Sequence, residues 1–298
     1  MADRRGRPTR GQRVQRHPPT RRRLPFVIAA FAIVALLAFF IIQAMAKPGQ
    51  VVWANLGTED AHSLAFVDGD PQHLLFGHHG GISQSLDGGR TWTALPVRQD
   101  AMSMTPATNG SIVIAGHDVF SGSSDGGATW APIAADLPDL DIHGFTRDPA
   151  DPAPMWAYLA TGGLWESADG GHHWEQVRKD NVVYPLAVSD GSATTLLAVD
   201  ATGLVASTDG GRTFTTRGQP PAYPVTSLAA TPDGRTIYAG APDGLFRSDD
   251  RGQTWVSTGY VGSAFAVATS SDGQTVAVVS RRSEFLRSSD RGATWPAP

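Results

Sequence analysis

The pattern Ser-x-Asp-x-Gly-x-Thr-Trp, or a close variant of it, occurs six times between residues 85 and 295. The serine, the aspartate and one glycine are kept in all six copies, and successive aspartates are 38, 44, 40, 41 and 40 residues apart. A period of about 40 residues with several short β patterns per copy is typical of propeller blades, because one blade is one four-stranded sheet. The sequence therefore predicts an all-β fold, a six-bladed β-propeller. The repeated aspartates are Asp87, Asp125, Asp169, Asp209, Asp250 and Asp290.

The first copy indicates where the motif lies within a blade. Residues 62–67, 73–77, 81–85 and 91–95 carry strand patterns, so the motif falls in the hairpin between the third and fourth strands. In such a turn an aspartate accepts backbone N–H bonds, a glycine supplies a positive φ, and hydroxyl groups tie the ends together. We therefore predict a structural role for the six repeated aspartates, and packing of the terminal aromatic residue between adjacent sheets.

The two ends of the propeller region predict how the ring closes. The sixth copy runs into Pro296 and Pro298, and proline cannot donate a hydrogen bond to a strand ladder. Residues 52–56, VWANL, are similar to the outer-strand pattern TWTAL at residues 91–95. We therefore predict that residues 51–56 supply the outer strand of blade 6.

The six motifs resemble the Asp-box (BNR) repeat, and the resemblance covers nearly all of residues 51–298. Families with this repeat include sialidases, other glycosidases, sortilin-type receptors and photosystem II assembly factors. The resemblance implies the propeller fold, which by itself selects none of these activities.

The sequence lacks a catalytic motif that sialidases carry. Sialidases carry an F/Y-R-I-P segment, which supplies one of three arginines that clamp the substrate carboxylate. The nearest string here is Phe246-Arg247-Ser248-Asp249, which belongs to a repeat. The strings HSLAF at residues 62–66, HHG at 78–80 and DIHGF at 141–145 look instead like a group of small bacterial Asp-box proteins described as glycosyl hydrolases.

The N-terminal region predicts a membrane anchor. Residues 24–46 form an apolar run of 23 residues without charge, long enough for a helix to cross a hydrocarbon core of about 30 Å. Residues 1–23 contain nine arginines and one aspartate, whereas residues 48–298 carry a net charge of −13. By the positive-inside rule, the arginine-rich tail stays in the cytoplasm as a disordered segment, and the propeller at 51–298 is extracytoplasmic.

These features predict a single-pass cell-membrane protein with a cytoplasmic N-terminus. A signal peptide cleaved after Ala46 is the alternative, because Ala44-Met45-Ala46 is an A-x-A-like site. No nucleic-acid partner is expected, since no aromatic residue is interleaved with the arginines. The chain has no cysteine, which excludes disulfides and thiolate metal sites.

Histidines fall at equivalent positions of three consecutive blades, on the face opposite the Asp boxes. Neutral imidazoles there could bind a divalent metal, the one cofactor that this pattern suggests, with nearby carboxylates completing the set. The alternatives are a polar ligand pocket, a patch that titrates between about pH 5 and 8, and solvated loop residues that act independently. The histidines are His62, His78, His79, His117 and His143. The accessory carboxylates are Asp60, Asp118 and Asp141.

Three hypotheses for function follow. The first is a membrane-anchored extracytoplasmic module that binds a ligand, a metal or a partner through its histidine-bearing face, with a glycan or an envelope protein as the expected partner. The second is a glycosidase of unknown specificity, which requires two carboxylates in distinct environments about 5–9.5 Å apart. The third is assembly of a membrane complex, as the photosystem II assembly factors suggest.

Overall fold

The computed structural model describes residues 50–58, 60–107, 109–189, 193–218 and 224–298. The arginine-rich residues 1–23 and the apolar run at 24–46 lie outside these ranges, so the predicted anchor does too. Within the described ranges, no helix has the length and apolar character needed to cross a bilayer. The same ranges contain 24 strands and a 3-10 turn at Val67–Gly69, which confirms the all-β class.

The strands form six four-stranded antiparallel sheets, and each sheet is one blade of a propeller. Blade 1 contains β2 (Ala61–Phe66), β3 (Leu74–His78), β4 (Gly81–Ser85) and β5 (Thr93–Ala94), and blade 2 contains β6 (Ser103–Pro106), β7 (Ile112–Gly116), β8 (Val119–Ser123) and β9 (Ala131–Pro132). Blade 3 contains β10 (Ile142–Arg147), β11 (Met155–Leu159), β12 (Gly163–Ser167) and β13 (Glu175–Arg178), and blade 4 contains β14 (Val183–Ser189), β15 (Thr194–Asp200), β16 (Gly203–Ser207) and β17 (Thr215–Gly218). Blade 5 contains β18 (Ser227–Ala230), β19 (Ile237–Ala241), β20 (Gly244–Ser248) and β21 (Val256–Val261), and blade 6 contains β22 (Ala266–Thr269), β23 (Val276–Val279), β24 (Glu284–Ser288) and β1 (Ala54–Asn55).

Blade 6 joins the two ends of the propeller region, which confirms the predicted ring closure. Strand β1 pairs with β24, and Ala54 lies opposite Phe285. The regular strand is shorter than the predicted 51–56, but hydrogen bonds to the C-terminal segment continue on both sides of it. The Val51 N–H donates to the Trp295 carbonyl at 3.0 Å, and the Leu56 N–H donates to the Ser283 carbonyl at 2.8 Å.

Each Asp box is a closed hydrogen-bonded turn. In the first copy the Ser85 hydroxyl donates to Asp87 Oδ1 at 2.9 Å and accepts the Gly89 N–H at 2.8 Å. The Thr91 hydroxyl donates to Asp87 Oδ2 at 2.6 Å, and the Thr91 N–H donates to Oδ1 at 2.9 Å. The serine-to-aspartate bond recurs in all six copies at 2.6–2.9 Å. The box therefore satisfies its own polar groups locally, as a tight turn requires.

The aromatic residue that ends each box packs between blades. Trp92 lies edge-on to Phe76 of its own blade and to Phe285 of blade 6, with ring centroids 6.3 and 5.2 Å away. Gly89 has a φ of +97°, and a Cβ at this position would lie 2.0 Å from Cε1 of Phe285. Only glycine fits here, because the turn must approach the neighbouring blade this closely.

The innermost strands β2, β6, β10, β14, β18 and β22 contact one another in sequence around a closed ring. They enclose a central cavity of about 740 Å³ whose lining includes His62 and His143. Because an inner strand begins on the face opposite the Asp boxes, the residues at its start stand at one mouth of this cavity.

Candidate metal centre

Four histidines and three aspartates lie side by side at this mouth. Ring centroids are 4.8 Å apart between His62 and His79, 5.9 Å between His79 and His117, and 5.1 Å between His117 and His143. We call the set the histidine–aspartate row; its members are His62, His79, His117, His143, Asp60, Asp100 and Asp141.

Two histidines of the row are placed by β-bulges. The register between β2 and β3 shifts between Ala61 and Ser63, so His62 is the bulged residue. The register between β10 and β11 shifts between Ile142 and Gly144, so His143 occupies the equivalent position two blades further on. A bulge redirects a side chain relative to a regular strand, which accounts for two inner-strand residues turning into the row.

The remaining members come from loops at the same mouth. His79 follows β3, and His117 lies between β7 and β8, where it forms an isolated bridge with Asp141. Asp100 precedes β6, and its loop packs tightly against blade 2. A Cβ on Gly116 would lie 2.0 Å from the Asp100 carbonyl oxygen, so glycine is required for this approach.

His117, Asp141 and His143 form what we call the outer triad. His117 Nε2 lies 3.3 Å from His143 Nε2 and 3.4 Å from Asp141 Oδ1, and His143 Nε2 lies 3.0 Å from the same oxygen. Donor atoms bound at about 2.1 Å around a tetrahedral ion stand about 3.4 Å apart. The three donors of the outer triad therefore have nearly the spacing of one face of a tetrahedral metal site.

Asp100 positions one ligand of the outer triad. Its Oδ2 lies 2.7 Å from His117 Nδ1, and its side chain is only 10% exposed. Because a carboxylate only accepts, His117 Nδ1 donates in this bond, and Nε2, which lies beside His143 and Asp141, is the nitrogen left to bind a metal ion. A carboxylate behind a ligating imidazole is a common second layer of protein metal sites.

His62, His79 and Asp100 form what we call the inner triad. His62 Nε2 lies 2.5 Å from His79 Nδ1 and 3.3 Å from Asp100 Oδ1. His79 Nδ1 lies 3.5 Å from Asp100 Oδ2 and 3.9 Å from Asp60 Oδ2. Three sets have donor atoms that all lie within 4.8 Å of one another: the outer triad, Asp60–His62–His79 and His79–Asp100–His117. No such set among the described residues contains all four histidines, so the row offers several overlapping positions instead of one four-histidine site.

The electrostatics of the row favour a cation. Within the described ranges, histidine is the only ion-pair partner of Asp60, Asp100 and Asp141. Burial lowers the pKa of His62, against the opposing effect of Asp100, and so favours the neutral imidazole that binds metal ions. The three carboxylates of the row contribute negative charge at this mouth.

Two predicted site residues lie beside the row without joining it. His78 stacks on Phe76 with ring centroids 5.6 Å apart, and its Nδ1 accepts the Gly80 N–H at 3.0 Å. Asp118 is exposed in the turn after His117, with a φ of +55°, and is absent from the donor sets of the described residues. Asp100, which the sequence did not single out, belongs to the row instead.

Comparison with known proteins identifies the repeat. The family profile of the BNR-Asp box repeat matches residues 245–258, which contain the blade 5 copy. No curated protein matches the chain at a significant level.

Solved structures share the propeller fold at low sequence identity. The GH74 enzyme of Niastella koreensis is 17% identical, with a TM-score of 0.53, over 82% of this chain and 48% of the enzyme, so this chain spans about half of its length. YCF48 from Cyanidioschyzon merolae is 17% identical, with a TM-score of 0.50, over 82% of this chain and 87% of that protein. A YCF48 structure described as bound to a D1 peptide is 15% identical, with a TM-score of 0.49, over 79% of this chain and 95% of that one. At these identities the likeness shows the fold alone, and the D1 peptide is a partner of that protein.

Proposed function

We propose that this chain, a six-bladed propeller with the BNR-Asp box repeat, is a binding module that holds a divalent transition metal in the outer triad. The metal would lie at the mouth of the central cavity and accept a further ligand there, from a small molecule or from a partner protein.

The spacing of the outer triad is the observation that carries this proposal. Three donors from His117, Asp141 and His143 stand 3.0–3.4 Å apart, as ligands of one ion do. Their side chains are 39%, 40% and 40% exposed, so solvent reaches the triad. Zinc sites with three protein ligands and one open position engage water or substrate, whereas purely structural sites have four protein ligands.

The ligand types narrow the choice of ion. Imidazole suits zinc, copper, iron and nickel, whereas calcium and magnesium prefer sites made of oxygen atoms. Two imidazoles and one carboxylate therefore favour a divalent transition metal over either alkaline-earth ion.

The proposed place of action is the extracytoplasmic side of the cell membrane. The apolar run at residues 24–46 and the nine arginines before it support an N-terminal anchor with the propeller exported. Extraction of cell membranes at alkaline pH tests the anchor, since a spanning helix keeps the protein in the membrane fraction. Release of the full-length chain into the supernatant would contradict it.

Zinc titration of the metal-free full-length chain tests the proposed site. We expect His143→Ala to weaken binding at the outer triad by at least about 100-fold, because loss of a direct ligand should exceed the 10–100-fold effect of a residue behind one. His172→Ala is the matched control, since His172 is an exposed residue of the blade 3 Asp box, where its Nδ1 lies 3.0 Å from the Ala134 carbonyl oxygen. Unchanged zinc affinity at every site in His143→Ala and His117→Ala would refute the proposal. Calcium should bind weakly to the wild type and to all variants, because the triad contains two imidazoles.

Glycoside hydrolysis is the second candidate function, and one observation favours it. Asp100 and Asp141 both contact His117, but their side chains are 10% and 40% exposed. A difference in environment is one of the two features that an acid/base pair requires, the other being its separation. Hydrolysis of aryl glycosides by the metal-free protein, lost in Asp141→Asn, would support this function over the first.

A further inference from the structure

A buried carboxylate oxygen in the inner triad has no hydrogen-bond partner among the described residues. It is Oδ1 of Asp100, whose side chain is nine-tenths buried. The nearest ion-pairing atom is His62 Nε2 at 3.3 Å, on a side chain that is itself only 12% exposed. A buried acceptor left without a partner destabilises the fold, and a charged one does so more strongly. The inner triad therefore contains an oxygen positioned to bind a cation.

The short distance between the two imidazoles of the inner triad also favours a cation between them. His62 Nε2 and His79 Nδ1 are 2.5 Å apart. Two ring nitrogens with lone pairs repel at this distance, so in the absence of metal one proton must lie between them. A metal ion can replace that proton and bind both lone pairs, with the nitrogens moving apart to about 3.4 Å. His79 has room for this movement, because its side chain is 54% exposed.

From these two observations we propose that His62, His79 and Asp100 hold a second divalent transition-metal ion. This inference rests on the proposed function, since it places another ion beside the one in the outer triad. Asp60 lies 3.9 Å from His79 Nδ1 with a side chain that is 63% exposed, so it can approach the ion as a further ligand.

The Asp100–His117 hydrogen bond links the two ions. Asp100 binds the inner ion through Oδ1, while Oδ2 accepts the proton of His117 Nδ1 at 2.7 Å. His117 Nε2 in turn binds the outer ion. The ions share no ligand atom, but the negative charge of Asp100 lies between them and offsets their repulsion. Asp100 is thus a ligand of one ion and a positioning residue for the other.

Metal content after equilibrium dialysis against zinc tests this arrangement in the full-length chain. We expect two zinc ions per wild-type chain and one in His62→Ala or in His143→Ala. Asp100→Asn should lose the inner ion and weaken binding of the remaining one by about 10–100-fold, the usual effect of removing a carboxylate behind a ligating histidine. His78→Ala is the control, because His78 is on the same face but belongs to neither triad and its Nδ1 accepts the Gly80 N–H, so this variant should keep both ions.

The outcomes separate this inference from the function on which it rests. One ion in the wild type, lost in His143→Ala and kept in His62→Ala, overturns the second ion but not the outer site. No bound ion in the wild type overturns both. One ion kept in both variants and lost in Asp100→Asn overturns the two-ion arrangement and places a single ion among His79, Asp100 and His117. Circular dichroism on each variant verifies that a lost ion does not reflect a lost fold.

Discussion

Trp53 should contribute substantially to closing the ring at blade 6. Its Nε1–H donates to the Pro296 carbonyl at 2.7 Å, and its ring lies edge-on to Phe285 with centroids 6.3 Å apart. The guanidinium groups of Arg90 and Arg287 lie 5.3 and 5.7 Å from the ring centroid. These contacts join the first strand to both the last blade and blade 1.

The decrease in the free energy of unfolding expected for Trp53→Ala follows from these contacts. The aromatic pair contributes about 0.5–1.5 kcal/mol, the hydrogen bond about 1 kcal/mol, and each of the two cation–π contacts at least about 0.5–1 kcal/mol. Because Trp53 is only half-buried, the total of about 3 kcal/mol falls at the lower end of the range for large aromatic residues in cores. In a domain of this size, a loss of about 3 kcal/mol lowers Tm by roughly 6–12 °C.

Urea and thermal unfolding followed by circular dichroism measure this loss. Trp53→Phe keeps the ring contacts but loses the N–H donor, so it should cost about 1 kcal/mol. Val52→Ala changes a neighbouring side chain that is 42% exposed, and it should stay within about 0.5 kcal/mol of the wild type. If Trp53→Ala unfolds at the same midpoint as Val52→Ala, the contacts of Trp53 do not hold the ring closed.

Two further predictions concern the Asp boxes. Gly89→Ala should lower the free energy of unfolding by at least about 2 kcal/mol, because the alanine has a positive φ and its Cβ clashes with Phe285. Gly57→Ala is the control: Gly57 has a φ of +71° and no atom lies within 4 Å of the new Cβ, so the free energy of unfolding should fall by only about 1 kcal/mol. An equal decrease in Tm for both variants would contradict the clash. Hydrogen bonds from threonine side chains and backbone N–H groups lower the pKa of Asp87 and Asp125 to about 2. Their stabilising contribution is complete above the unfolded pKa of about 3.9 and is lost as the pH falls through about 2, so urea midpoints should decline between these values, and less steeply in Asp125→Asn.

The fold could be predicted because its strongest signal is local and repeated. Each Asp box fixes a hairpin by bonds within eight residues, and six copies fix the number of blades. The limits of the outer strands were less predictable. Residues 91–95 carry a strand pattern, yet β5 covers only Thr93–Ala94 because the hydroxyl and N–H of Thr91 are bound to Asp87 in the turn.

The row could be predicted only in part, because its contacts join residues from different blades. Aligning the repeats with one another predicts that four histidines lie on the same face of the propeller. Which of their ring nitrogens lie close together depends on the bulges at His62 and His143, and the sequence pattern does not show these bulges. The sequence does contain a signal that indicates Asp100, namely its position within the repeat. Asp60 and Asp141 stand two residues before His62 and His143, and Asp100 stands two residues before Met102 at the same point of blade 2. Because Met102 takes the place of a histidine directly before β6, the pattern did not reveal the third aspartate.

The aspartates on the two faces differ in what their lone pairs already bind. Asp87 accepts four hydrogen bonds, from the Ser85 hydroxyl, the Arg90 N–H, and the N–H and hydroxyl of Thr91. Three of these bonds end on Oδ1 and one on Oδ2, so of the roughly four lone-pair sites of this carboxylate only about one, on Oδ2, is left for a metal ion. Asp100 accepts one bond, from His117, and its other oxygen has no partner among the described residues. Zinc should therefore bind on the face where the fold leaves carboxylate lone pairs free, and Asp87→Asn should reduce stability without changing zinc affinity.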